Sequence, residues 1–163
     1  MALFFSFFIS ALIVLCFQTT VLDQIFLPSI KPDLIIIMVA YLGIFQSPVT
    51  GVLLAFTLGL LMDTLSGGVI GLYALLRIIT FILTKLTSKN FYLRGVLPQI
   101  ILLTVLSVID GVLMLSILYI FSSINNLWPF ILKHLPLQSI STGILSPVII
   151  FLLNKTNLSP EPH

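Results

Sequence analysis

The chain has 163 residues, of which 59% are hydrophobic and only 7% are charged, and its formal net charge is +2. A soluble domain carries roughly 25% charged residues, so this chain cannot cover itself with a polar surface and its solvent must be mostly lipid. The small net charge and the lack of a basic patch in the sequence argue against nucleic acid as a partner.

Six apolar runs have the length, or nearly the length, of membrane helices, which need about 20 residues. In chain order they cover residues 2–22, 34–45, 49–65, 69–86, 96–121 and 138–153. We predict an all-α integral membrane protein with about six transmembrane helices in one bundle. The bundle forms a single domain over residues 1–153, followed by a polar tail over 154–163. The first run lacks basic flanking residues and a cleavage site of small residues, so we expect it to be retained.

The second run, 34–45, is short for a membrane helix. At about 1.5 Å per residue it cannot cross about 30 Å of hydrocarbon alone. It follows Pro32, and Asp33 is placed to cap its first turn. The sequence therefore predicts either a helix that begins earlier or a short helix that its neighbours shield from lipid.

The third and fourth runs form a hairpin, whose turn contains Ser66, Gly67, Gly68 and Gly71. Before the turn, small residues recur at every fourth position: Gly51, Ala55 and Gly59. This spacing puts them on one helix face, where another backbone can approach closely. We predict a helix-packing face there, which serves either the bundle itself or a partner helix.

Three charged residues interrupt the apolar runs: Asp63, Arg77 and Asp110. Charges within a membrane are costly, so they usually face the bundle interior and pair with one another. Counting about 1.5 Å per residue along each run puts Arg77 and Asp110 at nearly the same depth. We predict an intramembrane charge network in which Arg77 pairs with Asp110, with Asp63 or with both. In the alternative, Arg77 only reaches toward lipid headgroups and Asp63 only caps the turn.

A polar segment follows the fourth run and holds a predicted basic loop made of Lys85, Lys89 and Arg94. Cytoplasmic loops of membrane proteins carry an excess of Lys and Arg. Placing the N-terminus inside puts four of the six Lys and Arg residues that flank the runs on the cytoplasmic side. We therefore expect both termini to lie in the cytoplasm.

The sequence offers no reaction chemistry. A Ser–His–Asp site needs a histidine base, and the two histidines, His134 and His163, lie in a polar segment and at the last residue. There is no HExxH, CxxC or Walker-type motif. We predict a protein that is not an enzyme and that carries no cofactor and no metal. One alternative stays open, in which Asp63 and Asp110 carry protons or a cation.

Three stretches resemble the MreD family, the bacterial rod shape-determining membrane proteins. They are QTTVLDQIF over 18–26, KPDLIIIMVAYLGIF over 31–45 and GVLLAFTLGLLMDTLSGGVIGLYALLR over 51–77. The resemblance covers about residues 1–95, and the chain length also fits. It implies a fold similar to the six-helix substrate-binding subunits of energy-coupling-factor vitamin transporters.

The resemblance also implies a role. It makes the chain a non-catalytic scaffold subunit of the cell-elongation (rod) complex, multi-pass in the bacterial cytoplasmic (inner) membrane. Such a subunit binds MreC and supports side-wall peptidoglycan synthesis and cell shape. Further implied partners are MreB, the glycosyltransferase RodA, a class B penicillin-binding protein and membrane lipid. The basic loop is the candidate contact for MreB or anionic lipid.

The shared fold leaves a rival hypothesis, a small-solute transporter or substrate-capture subunit. Such a protein needs a polar or aromatic pocket that opens to the outside. The candidate pocket residues are Tyr73, Asn125, Asn126 and Trp128. For the scaffold hypothesis, the candidate partner surfaces are the small-residue face of the third run and the apolar segments 26–30 and 127–132.

Overall fold

The computed structural model describes residues 2–18, 20, 32–66, 70–90, 95–121 and 128–155. These residues form six helices and no strand. The helices are α1 (Ala2–Phe17), α2 (Leu34–Phe45), α3 (Pro48–Ser66), α4 (Leu72–Asn90), α5 (Val96–Phe121) and α6 (Trp128–Lys155). The predicted all-α class is confirmed for this part of the chain.

Three of the helices are long and apolar enough to cross a membrane by themselves. They are Pro48–Ser66, Val96–Ile117 within α5 and Leu135–Leu153 within α6. Helix α4 has 19 residues but carries three positive charges, whereas α2 and the described part of α1 are shorter. The exterior of the bundle is apolar, with Ile13, Ile101 and Ile144 each more than half exposed. Such a surface suits lipid as the surrounding solvent.

Helix α2 lies at the centre of the bundle. Its nine residues from Ile35 to Gly43 are all buried, and it packs against each of the other five helices. The sequence-based alternative of a short helix shielded by its neighbours is therefore what the structure contains. The start of α2 is buried, so its free backbone N–H groups need partners from the protein.

Both ends of α2 have such partners. At the start, one carboxylate oxygen of Asp33 accepts the backbone N–H groups of Ile35 and Ile36 at 3.0 and 3.2 Å, which confirms Asp33 as the N-cap. At the end, the Lys85 Nζ donates to the carbonyl of Gln46 at 2.5 Å. A cation at a helix C-terminus also complements the negative end of the helix dipole.

Helix α6 departs most from the sequence-based prediction. It begins at Trp128, ten residues before the predicted run, and it continues through Pro136 and Pro147. A proline has no N–H to donate, so Pro147 leaves the carbonyl of Gly143 without its helical donor. The hydroxyl of Ser146 donates to that same carbonyl at 2.6 Å. Side-chain hydroxyls replace lost backbone hydrogen bonds in this way in membrane helices.

The predicted helix-packing face of Gly51, Ala55 and Gly59 is buried between α3 and α4. A Cβ atom added to Gly59 would overlap the backbone of Ala74, so the two helices approach as closely as glycine allows. A Cβ added to Gly51 would meet the ring of Phe81. This face therefore packs the hairpin and is not free for a partner helix, because α4 already covers it.

Candidate functional site

Arg77 occupies the middle of a buried ion-pair cluster. Its side chain is fully buried, and its Nη2 donates to Asp33 Oδ2 at 2.6 Å. Its Nη1 donates to Asp110 Oδ1 at 3.3 Å. The Cζ of Arg77 lies 5.8 Å from the centre of the Tyr73 ring, a favourable distance for a cation over an aromatic face. The guanidinium is thus held from three sides, and its Nε has no partner among the described residues.

Asp33 and its neighbour Leu34 join this cluster to four helices. Its Oδ1 caps α2, and its Oδ2 holds Arg77 of α4. Its own backbone N–H donates to the hydroxyl of Thr142 in α6 at 3.1 Å. The next N–H, that of Leu34, donates to the side chain of Gln18 at the end of α1, also at 3.1 Å. Asp33 and Leu34 together therefore fix the start of the central helix against α4, α6 and the end of α1.

Asp110, on α5, is the second carboxylate that pairs with Arg77. Its Oδ1 accepts from Arg77 and from the hydroxyl of Thr80 at 3.2 Å. Thr80 lies one helical turn beyond Arg77 on α4, so both donors come from the same face of that helix. The structure thus brings Arg77 and Asp110 together, as the depth count from the sequence predicts.

Asp63 differs from its predicted place in the charge network. Its two carboxylate oxygens accept the backbone N–H groups of Gly71, Tyr73 and Ala74 at 2.9, 2.8 and 3.2 Å. Within the described residues it forms no ion pair with Arg77. Asp63 caps the start of α4 instead, because the free N–H groups of the helix's first turn are the nearest donors.

The hairpin turn and the basic loop are only partly described. Ser66 ends α3, and Gly71 has a positive φ of 96°, which a side chain would strain. Lys85 and Lys89 lie on α4 and not in a loop, since the helix extends to Asn90. Three predicted site residues, Gly67, Gly68 and Arg94, lie outside the described residues, as do Asn125, Asn126 and segment 26–30.

A cavity of about 460 Å³ lies beside the ion-pair cluster, at the end of the bundle that carries the α3–α4 turn. All six helices contribute to its wall. The polar residues that line it are Gln18, Asp33, Ser66, Tyr73, Ser107, Asp110 and Gln138. Of the four pocket residues expected from the sequence, the described structure places Tyr73 in the wall.

Asp33 is the member of the cluster that the sequence alone does not indicate. It precedes a helical run instead of interrupting one, so it was interpreted only as a cap. The short length of the second run indicates that Asp33 lies within the membrane. A helix of 12 residues surrounded by longer ones begins at membrane depth, and so does the carboxylate that caps it.

Comparison with known proteins adds one finding to this geometry. The family model described as rod shape-determining protein MreD matches residues 1–156 of the chain. Comparisons with curated proteins and with solved structures give no significant match. The family match covers the six described helices and includes every residue of the ion-pair cluster and of the cavity wall.

Proposed function

Because the chain belongs to the MreD family of rod shape-determining membrane proteins, we propose that it is a non-catalytic scaffold subunit of the bacterial rod complex. In this role it binds MreC and supports side-wall peptidoglycan synthesis. The match of the family model over residues 1–156 is the observation that carries the proposal. The subunit lies in the cytoplasmic (inner) membrane as a multi-pass protein with both termini in the cytoplasm.

The chemistry of the ion-pair cluster supports a scaffold. Arg77 pairs with two carboxylates, and Asp33 also caps α2. Among the described residues there is no group of three or more His, Cys, Asp or Glu side chains that could hold a metal ion. A cluster arranged in this way fixes the relative positions of helices, which is what a binding platform requires.

The partner surface is expected on the lipid-facing exterior. The small-residue face of α3 is occupied by α4, so a single membrane helix such as that of MreC must pack elsewhere. Exposed apolar side chains are available on α1, α5 and α6, for example at Ile13, Val105 and Ile144. Contacts with MreB, RodA or a class B penicillin-binding protein are proposed to follow from the association with MreC.

The cavity favours one further possibility, the capture of a small molecule. Small-molecule sites are concave, mostly apolar and about 300–1,000 Å³ in volume, with a few placed polar groups. The cavity beside Asp110, at about 460 Å³, lies in that range. A scaffold role and a ligand site are compatible, since they use different parts of the bundle.

Co-purification with MreC tests the scaffold role. The tagged chain is co-expressed with MreC from the same organism, and the detergent extract is analysed by affinity capture and size-exclusion chromatography. We expect a stable complex, and we expect the chain to restore rod shape to cells that lack their own MreD. Capture of well-folded chain without MreC, together with no rescue of shape, would contradict the proposal.

Tryptophan substitutions on the exposed faces locate the interface. Ile13→Trp, Val105→Trp and Ile144→Trp each enlarge an exposed side chain on a different helix, so the fold should tolerate them. If MreC packs on one of these faces, one substitution should reduce co-purification while the other two serve as matched controls. Equal loss in all three variants would indicate general misfolding rather than a local interface.

A further inference from the structure

The cavity beside the ion-pair cluster is acidic. Asp33 and Asp110 both line it, whereas Arg77, the cation that pairs with them, does not. No lysine, arginine or histidine lines the cavity among the described residues. One guanidinium pairs with two carboxylates, so the cluster carries one negative charge in excess when both carboxylates are ionised.

Among the carboxylate oxygens of the cavity wall, one lacks a donor from the described residues. Both oxygens of Asp33 are occupied, one by backbone N–H groups and the other by Arg77. Asp110 uses its Oδ1 twice, for Arg77 and for Thr80. Its Oδ2 accepts no hydrogen bond from the described residues, although the side chain is only 8% exposed. Asp110 lines the cavity, so this oxygen is open to a donor that enters the cavity from outside.

We propose that this cavity binds a small organic monocation, whose primary ammonium group donates to Asp110 Oδ2. The ammonium supplies both things that the site lacks, a positive charge and an N–H donor. Ser107 lies one helical turn before Asp110 and also lines the cavity, so its hydroxyl is near the same spot. The apolar part of the ligand packs on Met62, Met114 and Leu135, of which the methionines adapt readily to different shapes.

The wall of the cavity favours an organic amine over a bare metal ion. A metal cation prefers several oxygen ligands at short distance, and the described residues contain no group of three or more candidate ligands. A cavity of about 460 Å³ would also leave most of its apolar wall without contact around a single ion. An ammonium on a short hydrocarbon stem matches both the charge and the lining.

Binding of n-butylammonium to the full chain in nanodiscs tests this proposal. The thermal unfolding midpoint is followed as the concentration of the amine rises, with 1-butanol as the neutral probe and butyrate as the anionic one. We expect a saturable increase in the midpoint with n-butylammonium and none with the other two, because a ligand that binds only the folded state raises its stability.

Two variants assign the site. Asp110→Asn keeps the shape of the side chain and the Arg77–Asp33 ion pair but removes the charge at Oδ2, so it should raise the dissociation constant of n-butylammonium by about tenfold or more. Ser116→Ala changes an exposed hydroxyl on the same helix outside the cavity wall and should leave binding unchanged.

Three results would overturn the proposal. They are equal stabilisation of the native chain by 1-butanol, an Asp110→Asn variant that binds n-butylammonium as tightly as the native chain, and no saturable response to the amine. If the response to n-butylammonium is absent but a lysine-containing peptide binds, the cavity receives a protein segment and the small-molecule assignment is wrong. The comparison of the three probes uses only the native chain, so it decides the question even if Asp110→Asn does not fold. The test is independent of MreC, so the scaffold role can stand or fail separately.

Discussion

Arg77 shows how a costly charge can be built into a membrane bundle. A guanidinium with no exposed surface is tolerable because two carboxylates, Asp33 and Asp110, carry the opposite charge and accept its hydrogen bonds. Its planar fork lets each terminal nitrogen address a different partner, which a lysine could not do with the same geometry. Asp110 of α5 and Asp33, the N-cap of α2, are therefore joined through Arg77 of α4.

We expect Arg77→Ala to lower the free energy of unfolding by about 3–5 kcal/mol, because it leaves two carboxylates buried without a partner cation. Unfolding in mixed detergent micelles with increasing dodecyl sulfate, followed by circular dichroism, measures this change. The matched control is Lys89→Ala, which removes an exposed charge from the same helix and should cost little. Equal losses in the two variants would argue against an interior network.

Asp63 has a different task from the other buried carboxylates. It accepts hydrogen bonds from three backbone N–H groups at the start of α4, where the first turn has no carbonyl acceptors within the helix. A carboxylate there also complements the positive end of the helix dipole. The residue closes the hairpin locally, whereas the Arg77 cluster joins helices that are distant in sequence.

At the scale of elements, α2 and the α3–α4 hairpin explain how the bundle stays compact. The central helix is capped at both ends by side chains, Asp33 at the start and Lys85 at the end. Since lipid cannot satisfy backbone groups, a helix of 12 residues is stable inside a bundle only with such partners. Small residues on α3 allow α4 to approach, and this close packing brings Arg77 toward the start of α2.

The close approach of α3 and α4 predicts that Gly59→Ala destabilises the protein. Alanine is favoured over glycine within a helix by about 1 kcal/mol, so a site without a neighbour would be stabilised. Here the added Cβ overlaps the backbone of Ala74, and we expect a net loss of about 1–3 kcal/mol in the free energy of unfolding. The same dodecyl sulfate titration measures it.

Leu53→Phe is the control for this prediction, since it enlarges a side chain on the exposed face of α3. Its unfolding free energy should stay within about 0.5 kcal/mol of the native value. A stabilised Gly59→Ala variant would mean that α3 and α4 can separate without cost, and the tight-hairpin interpretation would then be wrong.

At the scale of the whole molecule, successive helices place the cavity and the α3–α4 turn at one end of the bundle. The lining residues come from the last turns of α1 and α3, from the first turns of α2 and α4, from the middle of α5 and from the second and third turns of α6. In the proposed orientation, with both termini in the cytoplasm, this end faces outward and Lys85 and Lys89 face inward, which agrees with the usual excess of positive charge in cytoplasmic segments.

Cysteine labelling checks this orientation. In a Cys16→Ser background, Ile70→Cys places a thiol beside the α3–α4 turn at a position that is 79% exposed, and Lys89→Cys places one at the opposite end of α4. A membrane-impermeant maleimide added to spheroplasts should label Ile70→Cys, whereas Lys89→Cys should react only after lysis. The Cys16→Ser chain gives the background, and the reverse pattern of labelling would invert the topology.

Much of the architecture follows from the sequence because hydrophobicity and backbone chemistry act locally. The bounds of α2 and α5 agree with the predicted runs 34–45 and 96–121, since composition changes sharply at their ends. The sequence predicts the start of α6 ten residues too late, because the polar residues and Trp128 of segment 122–137 are typical of an interfacial segment, whereas the helix begins at Trp128 and continues through Pro136. Local propensity is a weak guide where the surroundings favour a helix.

The sequence by itself determined that this is a helical membrane protein, that Asp33 caps the second helix and that Arg77 and Asp110 lie at a common depth. Only the tertiary structure decided that Arg77 pairs with Asp33 as well, and that Asp63 turns to the backbone. The ion pairs Arg77–Asp110 and Arg77–Asp33 join residues that are 33 and 44 positions apart. Their formation depends on how helices pack side by side, and periodicity along one helix carries no information about the angle at which a distant helix meets it.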